Sequence, residues 1–72
     1  MLGYWELRLA IQDGLGELLP PFDRNLRADR IAKAIESGMP ANEETVRKFL
    51  LGREESAVSQ IVKNIERDQK AK

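Results

Sequence analysis

The side chains of this sequence that could take part in catalysis or binding carry carboxylates, amines, guanidinium groups and hydroxyls. The chain has no Cys and no His, which removes the thiolate nucleophile, the commonest general base and the usual ligands of zinc. A hydrolytic triad and a zinc site are therefore excluded. No pair of carboxylates stands out from the helical surface charge, and no Gly-rich phosphate loop is present. We therefore expect a protein that is not an enzyme and that uses no metal and no cofactor.

The length and the net charge of the chain further restrict the class of protein to which it can belong. Seventy-two residues form one small domain, residues 1–72, with a modest core. Twelve basic and twelve acidic residues give a net charge of zero, which argues against a non-specific coat for nucleic acid but not against a binder that segregates its charge. No apolar run could span a bilayer, and the first ten residues lack the basic lead-in of a signal peptide. We therefore expect a cytoplasmic protein that does not contact a membrane.

The spacing of apolar residues predicts four helices and no strand. Their predicted bounds are about residues 2–19, 26–37, 43–51 and 53–68, with a frayed tail at 69–72. The double proline, Pro20-Pro21, is expected to stop the first helix, and Asp23 or Asn25 to cap the second. Asn42 is the predicted cap of the third. The fold class is therefore all-α, a compact bundle of four short helices.

The first predicted helix is apolar on two sides. One stripe consists of Tyr4, Leu7, Ile11, Leu15 and Leu18, and the second, roughly 140° away on the helical wheel, of Leu2, Trp5 and Leu9. A small domain covers one such side easily and two with difficulty. Trp5 therefore either folds into the single core or belongs to a surface for a dimer mate or another protein, since Trp and Tyr favour binding hot spots.

Residues 44–63, together with Ile65 just beyond them, contain two apolar groups that point in different directions. One group is Val46, Phe49 and Leu50, and the other is Val58, Ile61, Val62 and Ile65, rotated by roughly 110° along a straight helix. A bend at Gly52, in the left-handed conformation that ends helices at little cost, lets both groups face one core. Helices three and four then have the outline of a helix-turn-helix.

The string LLGREESAVSQIVK resembles the helix-turn-helix of the phage Cro and repressor family. In that motif a Gly opens the turn, an aliphatic residue follows six positions later and another stands three further on; here these are Gly52, Val58 and Ile61. The resemblance covers about twenty of the 72 residues. It implies a small transcription regulator whose recognition helix, about residues 54–66, enters the major groove of DNA. The residues it places against DNA are Arg53, Glu55, Ser56, Ser59, Gln60 and Lys63.

Several residues of this segment depart from the family's pattern. Lys48 stands where the family has a small residue between the two helices, and Arg53 stands where an apolar residue usually follows the Gly. Glu54 and Glu55 bring negative charge to the edge that would approach phosphates, which costs affinity for DNA.

The alternative function is a helical protein-interaction module, for example a phage-type regulator or inhibitor that docks on a larger machine such as RNA polymerase. Its contact residues would be Leu2, Tyr4, Trp5 and Leu9, with Arg27 and Arg30 on the solvated face of the second helix giving orientation. The N-terminal helix could also form a homodimer. We rank duplex DNA first as the partner, because S-A-V-S-Q after a Gly turn is the most specific string in the chain.

Overall fold

Four α-helices make up the fold in the computed structural model, which describes residues 2–71. They are α1 (Tyr4–Leu15), α2 (Pro21–Glu36), α3 (Glu43–Arg47) and α4 (Val58–Ala71), and two 3₁₀ helices span Gly16–Leu18 and Gly52–Ala57. The described residues contain no strand. α1 packs against both α2 and α4, and α3 packs against α4. The predicted all-α class with four helices is confirmed.

A single core joins these helices. Its buried members include Leu7, Ile11 and Leu15 of α1, Ala28, Ile31, Ala32 and Ile35 of α2, Val46 of α3, and Val58, Ile61, Val62 and Ile65 of α4. Phe49 and Leu50 are partly buried and pack against its edge. Both apolar groups of residues 44–65 therefore face one core, as their phase predicted.

α1 and α4 are in close contact at Gly14. A Cβ atom at this position would lie 2.6 Å from Cγ1 and 2.8 Å from Cα of Ile61, so the contact requires glycine. Beside it, the buried Asn64 donates a hydrogen bond from Nδ2 to the carbonyl oxygen of Ala10 at 3.1 Å. Because an unpaired buried amide would be costly, this bond favours one register of α4 on α1.

The first helix is shorter than predicted. The Glu6 carboxylate accepts a hydrogen bond from the Gly3 amide at 3.1 Å and caps the start of α1. α1 ends at Leu15, and the 3₁₀ helix that follows replaces the predicted last turn. Because 3₁₀ winding is tighter than α-helical winding, Leu18 leaves the predicted apolar stripe and is 46% exposed, whereas Leu19 is buried.

The second helix begins earlier than predicted, at the double proline. Pro20 is extended, with φ −59° and ψ 157°, and Pro21 takes the first helical position. A proline is well suited there, because that position's N–H has no intrahelical acceptor and its φ is already helical. The Arg24 amide donates to the Pro20 carbonyl at 2.9 Å. The predicted caps, Asp23 and Asn25, are wrong because both lie inside α2.

The connection from α2 to α3 agrees with the sequence. Gly38 has φ 120°, which favours glycine, and its amide donates to the Ile35 carbonyl at 3.1 Å. The Met39 amide donates to the Ala34 carbonyl at 3.1 Å, which completes the hydrogen-bond pair of a Schellman motif. The predicted cap of α3 is confirmed, since Asn42 accepts the Thr45 amide at 3.0 Å.

The bend between α3 and α4 is not made by a left-handed Gly52. α3 ends at Arg47, before the predicted residue 51, and the amides of Lys48 to Leu50 donate to carbonyls three residues back. Leu51 is extended, with φ −85° and ψ 161°, and Gly52 has no positive φ. α4 begins only at Val58 and continues to Ala71. Residues 69–71 of the predicted frayed tail are thus helical, and residue 72 lies outside the described part.

Candidate functional site

The six residues predicted to contact DNA lie in two different helices, one α-helical and one 3₁₀. Ser59, Gln60 and Lys63 belong to α4, whereas Arg53, Glu55 and Ser56 lie in the preceding 3₁₀ helix, Gly52–Ala57. All six side chains are exposed. The predicted recognition helix, residues 54–66, is therefore wrong in its first four residues, which are not α-helical.

Three of these six side chains are already engaged within the chain. Nε of Arg53 lies 3.7 Å from Oε2 of Glu54. Both carboxylate oxygens of Glu55 accept hydrogen bonds from Nε of Arg47, at 3.0 and 2.9 Å, and Arg47 also pairs with Glu43 at 3.1 Å. Glu55 holds the pKa of Arg47 above its usual value. Gln60 donates from Nε2 to Oδ1 of Asn64 at 2.8 Å, so its amide is held along α4.

A buried ion pair joins α2 to the 3₁₀ helix that precedes α4. The side chain of Glu54 is completely buried and that of Arg27 is 14% exposed. Arg27 donates from Nε to Oε1 of Glu54 at 3.1 Å and from Nη2 to Oε2 at 3.4 Å. The Leu51 amide also donates to Oε1 at 3.0 Å. Glu54 is therefore both the cap of the 3₁₀ helix and the anchor of that segment on α2.

These contacts correct two predictions. Arg27 does not lie on the solvated face, because its guanidinium is committed to Glu54, so it does not serve a partner-binding surface in this conformation. Glu54 does not bring its charge to the outer edge of the bend, because its carboxylate points inward. Burial acts to raise the pKa of Glu54, but Arg27 and the Leu51 amide act in the opposite direction and the pKa is lowered overall.

The predicted partner-binding residues at the N-terminus separate into buried and exposed ones. Leu2 is buried and belongs to the core, so its predicted role as a contact is wrong. Tyr4 is half-buried. Trp5 is 67% exposed and Leu9 is 58% exposed. Trp5 could lie either in the core or on the surface, and in the structure it lies on the surface. Arg30 is exposed on α2, as predicted.

A polar network fixes the outer edge where α1 meets α2. The hydroxyl of Tyr4 donates to Oδ1 of Asp29, and Lys33 lies 3.2 Å from Oδ2 of the same carboxylate. The bond to Asp29 raises the pKa of Tyr4, and the same bond lowers the pKa of Asp29. About two helical turns beyond Tyr4 on α1, Gln12 donates to Asn25 at 2.7 Å. The network orients the aromatic residues at the start of α1.

Arg8 stands in the middle of this edge. Its guanidinium carbon lies 5.2 Å from the centre of the Trp5 ring, a distance that gives a cation–π attraction. The Trp5 ring in turn meets Tyr4 edge-on, with ring centres 5.1 Å apart. Arg8 also donates from Nη1 to the Tyr4 hydroxyl at 3.4 Å. Trp5 is thus exposed but held between two neighbours.

An open groove of about 360 Å³ runs between α1 and α2 at this point. It is lined by Arg8, Phe22, Asn25, Leu26 and Asp29. Phe22 is 76% exposed, the largest value among the exposed large apolar side chains. We call the set Trp5, Arg8 and Phe22 the docking surface, because Arg8 contacts the Trp5 ring and lines this groove together with Phe22. Leu9 lines a different groove, with residues of α1 and α4. Of the members of the docking surface, Trp5 is among the predicted partner-binding residues, and Arg8 and Phe22 are not.

Sequence reasoning missed Phe22 because the start of α2 was placed after it. Once Pro21 is recognised as the first helical residue, Phe22 falls one position inside a helix. It then lies away from the buried stripe formed by Ala28, Ile31 and Ile35. Arg8 was missed although its spacing from Tyr4 and Trp5, four and three positions, brings all three together on a helix.

The described residues lack two features that would suggest a membrane or metal partner. No helix there is long and apolar enough to cross a membrane. No group of three His, Cys, Asp or Glu side chains there could hold a metal ion. Comparison of the chain with protein-family models, curated proteins and solved structures finds no match. The resemblance to the Cro and repressor family therefore stays a prediction.

Proposed function

We propose that this chain is a non-enzymatic binding module that docks on a larger protein through the docking surface. The observation that carries the proposal is the exposure of two aromatic side chains, Trp5 and Phe22, next to one guanidinium group, that of Arg8. Trp, Phe and Arg are the residue types enriched where protein interfaces are buried, whereas single exposed aliphatic residues are ordinary.

The order around Trp5 supports this proposal. Binding costs free energy when a mobile side chain must be fixed, about 0.5–1.5 kcal/mol for a flexible one. Here the indole is already placed by the edge-on contact with Tyr4 and the cation–π contact with Arg8. Tyr4 is in turn fixed by its hydrogen bond to Asp29 on α2. Much of the cost of ordering Trp5 is therefore met in the free protein.

Retention from a nuclease-treated lysate of the source cells tests the proposal. The chain is immobilised through its C-terminus, and the proteins retained by the wild type and by a Trp5→Ser/Phe22→Ser variant are quantified. The matched control is Ser59→Ala/Lys63→Ala, which changes two exposed residues of α4. The proposal predicts at least one protein retained equally by wild type and control and lost with the first variant. Equal retention by all three would refute it.

A second candidate function, binding of duplex DNA, has its own support. Ser59, Gln60 and Lys63 stand exposed in the first turns of α4, as a recognition helix requires. The inward orientation of Glu54 removes one of the two acids that the sequence places at that edge, and Arg47 partly offsets the other, Glu55. We rank DNA second, because part of the predicted recognition helix is 3₁₀ and the Gln60 amide is engaged with Asn64.

Gel retardation of mixed duplex DNA at low ionic strength tests this second candidate. Even non-specific binding appears under those conditions, and it weakens as salt is added. DNA binding through α4 predicts retardation that is lost with Gln60→Ala/Lys63→Ala and kept with Trp5→Ser. No retardation of wild type at low salt would eliminate the DNA function.

A further inference from the structure

We propose that the docking surface selects a partner segment in which a side-chain carboxylate stands beside an aromatic or aliphatic side chain, and that Arg8 receives the carboxylate. This inference rests on the proposed docking function and adds the chemistry of the partner. Phe22 and Trp5 contact the apolar side chain, and the guanidinium group at the groove supplies the charge.

Arg8 is the one basic residue of the docking surface, and it uses little of its hydrogen-bonding capacity within the chain. A guanidinium group carries five N–H donors and no acceptor. Within the described chain Arg8 forms no salt bridge, and its single hydrogen bond, at 3.4 Å, goes to the neutral hydroxyl of Tyr4. Its Nε–H is buried and has no acceptor there. A partner's carboxylate cannot reach the buried Nε–H and would bind the Nη N–H groups instead. Two such donors on one planar guanidinium group match a carboxylate that accepts two hydrogen bonds.

The one carboxylate that lines the same groove is already occupied. Oδ1 of Asp29 accepts the Tyr4 hydroxyl, and Oδ2 faces Lys33 at 3.2 Å. The Tyr4 oxygen, and not Asp29, is the hydrogen-bond partner of Arg8. The charges of Arg8 and Asp29 attract each other without a direct contact, which helps to lower the pKa of Asp29. A second carboxylate, brought by a partner, would therefore be the first to pair with Arg8 directly.

The setting of Arg8 favours a protein carboxylate over the phosphates of nucleic acid. Binding to a phosphate backbone draws on several cations in a row, each neutralising one phosphate. Here one guanidinium group stands next to Trp5 and Phe22, two exposed aromatic side chains. That combination is complementary to an acidic residue adjacent to an apolar one, and the apolar neighbours lower the local polarity in which the ion pair forms.

Selection from a displayed library of random dodecapeptides tests the inference. The targets are wild type, Arg8→Gln, Trp5→Ser/Phe22→Ser and, as a matched control, Arg67→Gln, which removes an exposed guanidinium group on α4. Wild type and Arg67→Gln should enrich Asp or Glu within two positions of Phe, Trp or Leu. Arg8→Gln should keep the apolar enrichment and lose the acidic one. A thermal unfolding scan confirms that Arg8→Gln is folded.

A second measurement needs no protein variant. The best peptide is compared with its Glu→Gln counterpart on wild-type protein by the quenching of Trp5, the only Trp in the chain. We expect about tenfold weaker binding of the Gln peptide, typical of a lost charge-assisted hydrogen bond. Equal affinities, or acidic enrichment that persists with Arg8→Gln, would overturn the role of Arg8 while docking stands. No enrichment on wild type beyond that on Trp5→Ser/Phe22→Ser would instead refute docking at this surface.

Discussion

The carboxylate of Glu54 is completely buried, and Nε of Arg27 lies 3.1 Å from it. These residues stand 27 positions apart, on the 3₁₀ helix before α4 and on α2. The same carboxylate caps the extended Leu51 amide at 3.0 Å. One buried acid thus holds the bend between α3 and α4 against the rest of the domain.

Removing this acid should destabilise the fold. Glu54→Ala leaves Arg27 and the Leu51 amide without their acceptor, and we expect a loss of about 3 kcal/mol in the free energy of unfolding. Chemical denaturation measures it. The control is the neighbouring Glu55→Ala, which breaks an exposed pair with Arg47 and should cost less than about 1 kcal/mol. Equal losses in the two variants would contradict the assigned role of Glu54.

The stabilisation by Glu54 should depend on pH in one direction. Its pKa is lowered in the folded state, so the stabilisation is fully present above the ordinary Glu value of about 4.3 and is lost as the pH falls through the lowered one. We expect the difference in unfolding free energy between wild type and Glu54→Gln to be constant near neutral pH and to shrink below about pH 4. A difference that does not change down to about pH 2 would contradict a lowered pKa.

Gly14 should not tolerate a side chain. Gly14→Ala places a Cβ atom 2.6 Å from Cγ1 of Ile61, and forcing α1 and α4 apart should cost about 1–3 kcal/mol. Gly52→Ala is the matched control, because a Cβ there meets nothing within 4 Å and Gly52 has no positive φ. The control should be neutral or slightly stabilising. Thermal unfolding of both variants checks the prediction, which fails if Gly14→Ala is as stable as wild type.

Titration of the single tyrosine reports directly on the hydrogen bond between α1 and α2. Tyr4 is the only Tyr in the chain, so the phenolate absorbance near 295 nm reports it alone. Its hydrogen bond to Asp29 raises its pKa, and the midpoint should lie above the ordinary value of about 10. Asp29→Asn should move the midpoint back toward that value. Identical midpoints in both proteins would show that the Tyr4–Asp29 bond is absent in solution.

Local patterns in the sequence are sufficient to predict part of this fold. The buried stripes of α2 and α4 follow from the 3.6-residue period alone, and the Asn42 cap and the glycine at position 38 depend on neighbours within five positions. The Pro20-Pro21 pair was misread because a proline both ends a preceding helix and suits the first position of a new one. Local rules do not decide between these two roles.

The candidate site could not be predicted in full, because it depends on contacts between residues that are far apart in the sequence. Glu54 and Arg27 are each ordinary surface types, and only the packing of α2 against the chain before α4 makes them a buried pair. Trp5 was undecided because a helix with two apolar stripes does not specify which one the remaining helices will cover. α2 and α4 both pack against α1, and Trp5 and Leu9 remain outside.

Position-resolved photo-cross-linking in the source cells tests docking most directly. A benzophenone amino acid replaces Trp5 or Phe22 in two proteins, and Ser59 or Lys63 in two others; all four positions are exposed. Docking through the α1–α2 side predicts one and the same cross-linked product at positions 5 and 22, sensitive to protease and not to nuclease, with none at 59 or 63. Products confined to positions 59 and 63, or removed by nuclease, would contradict it.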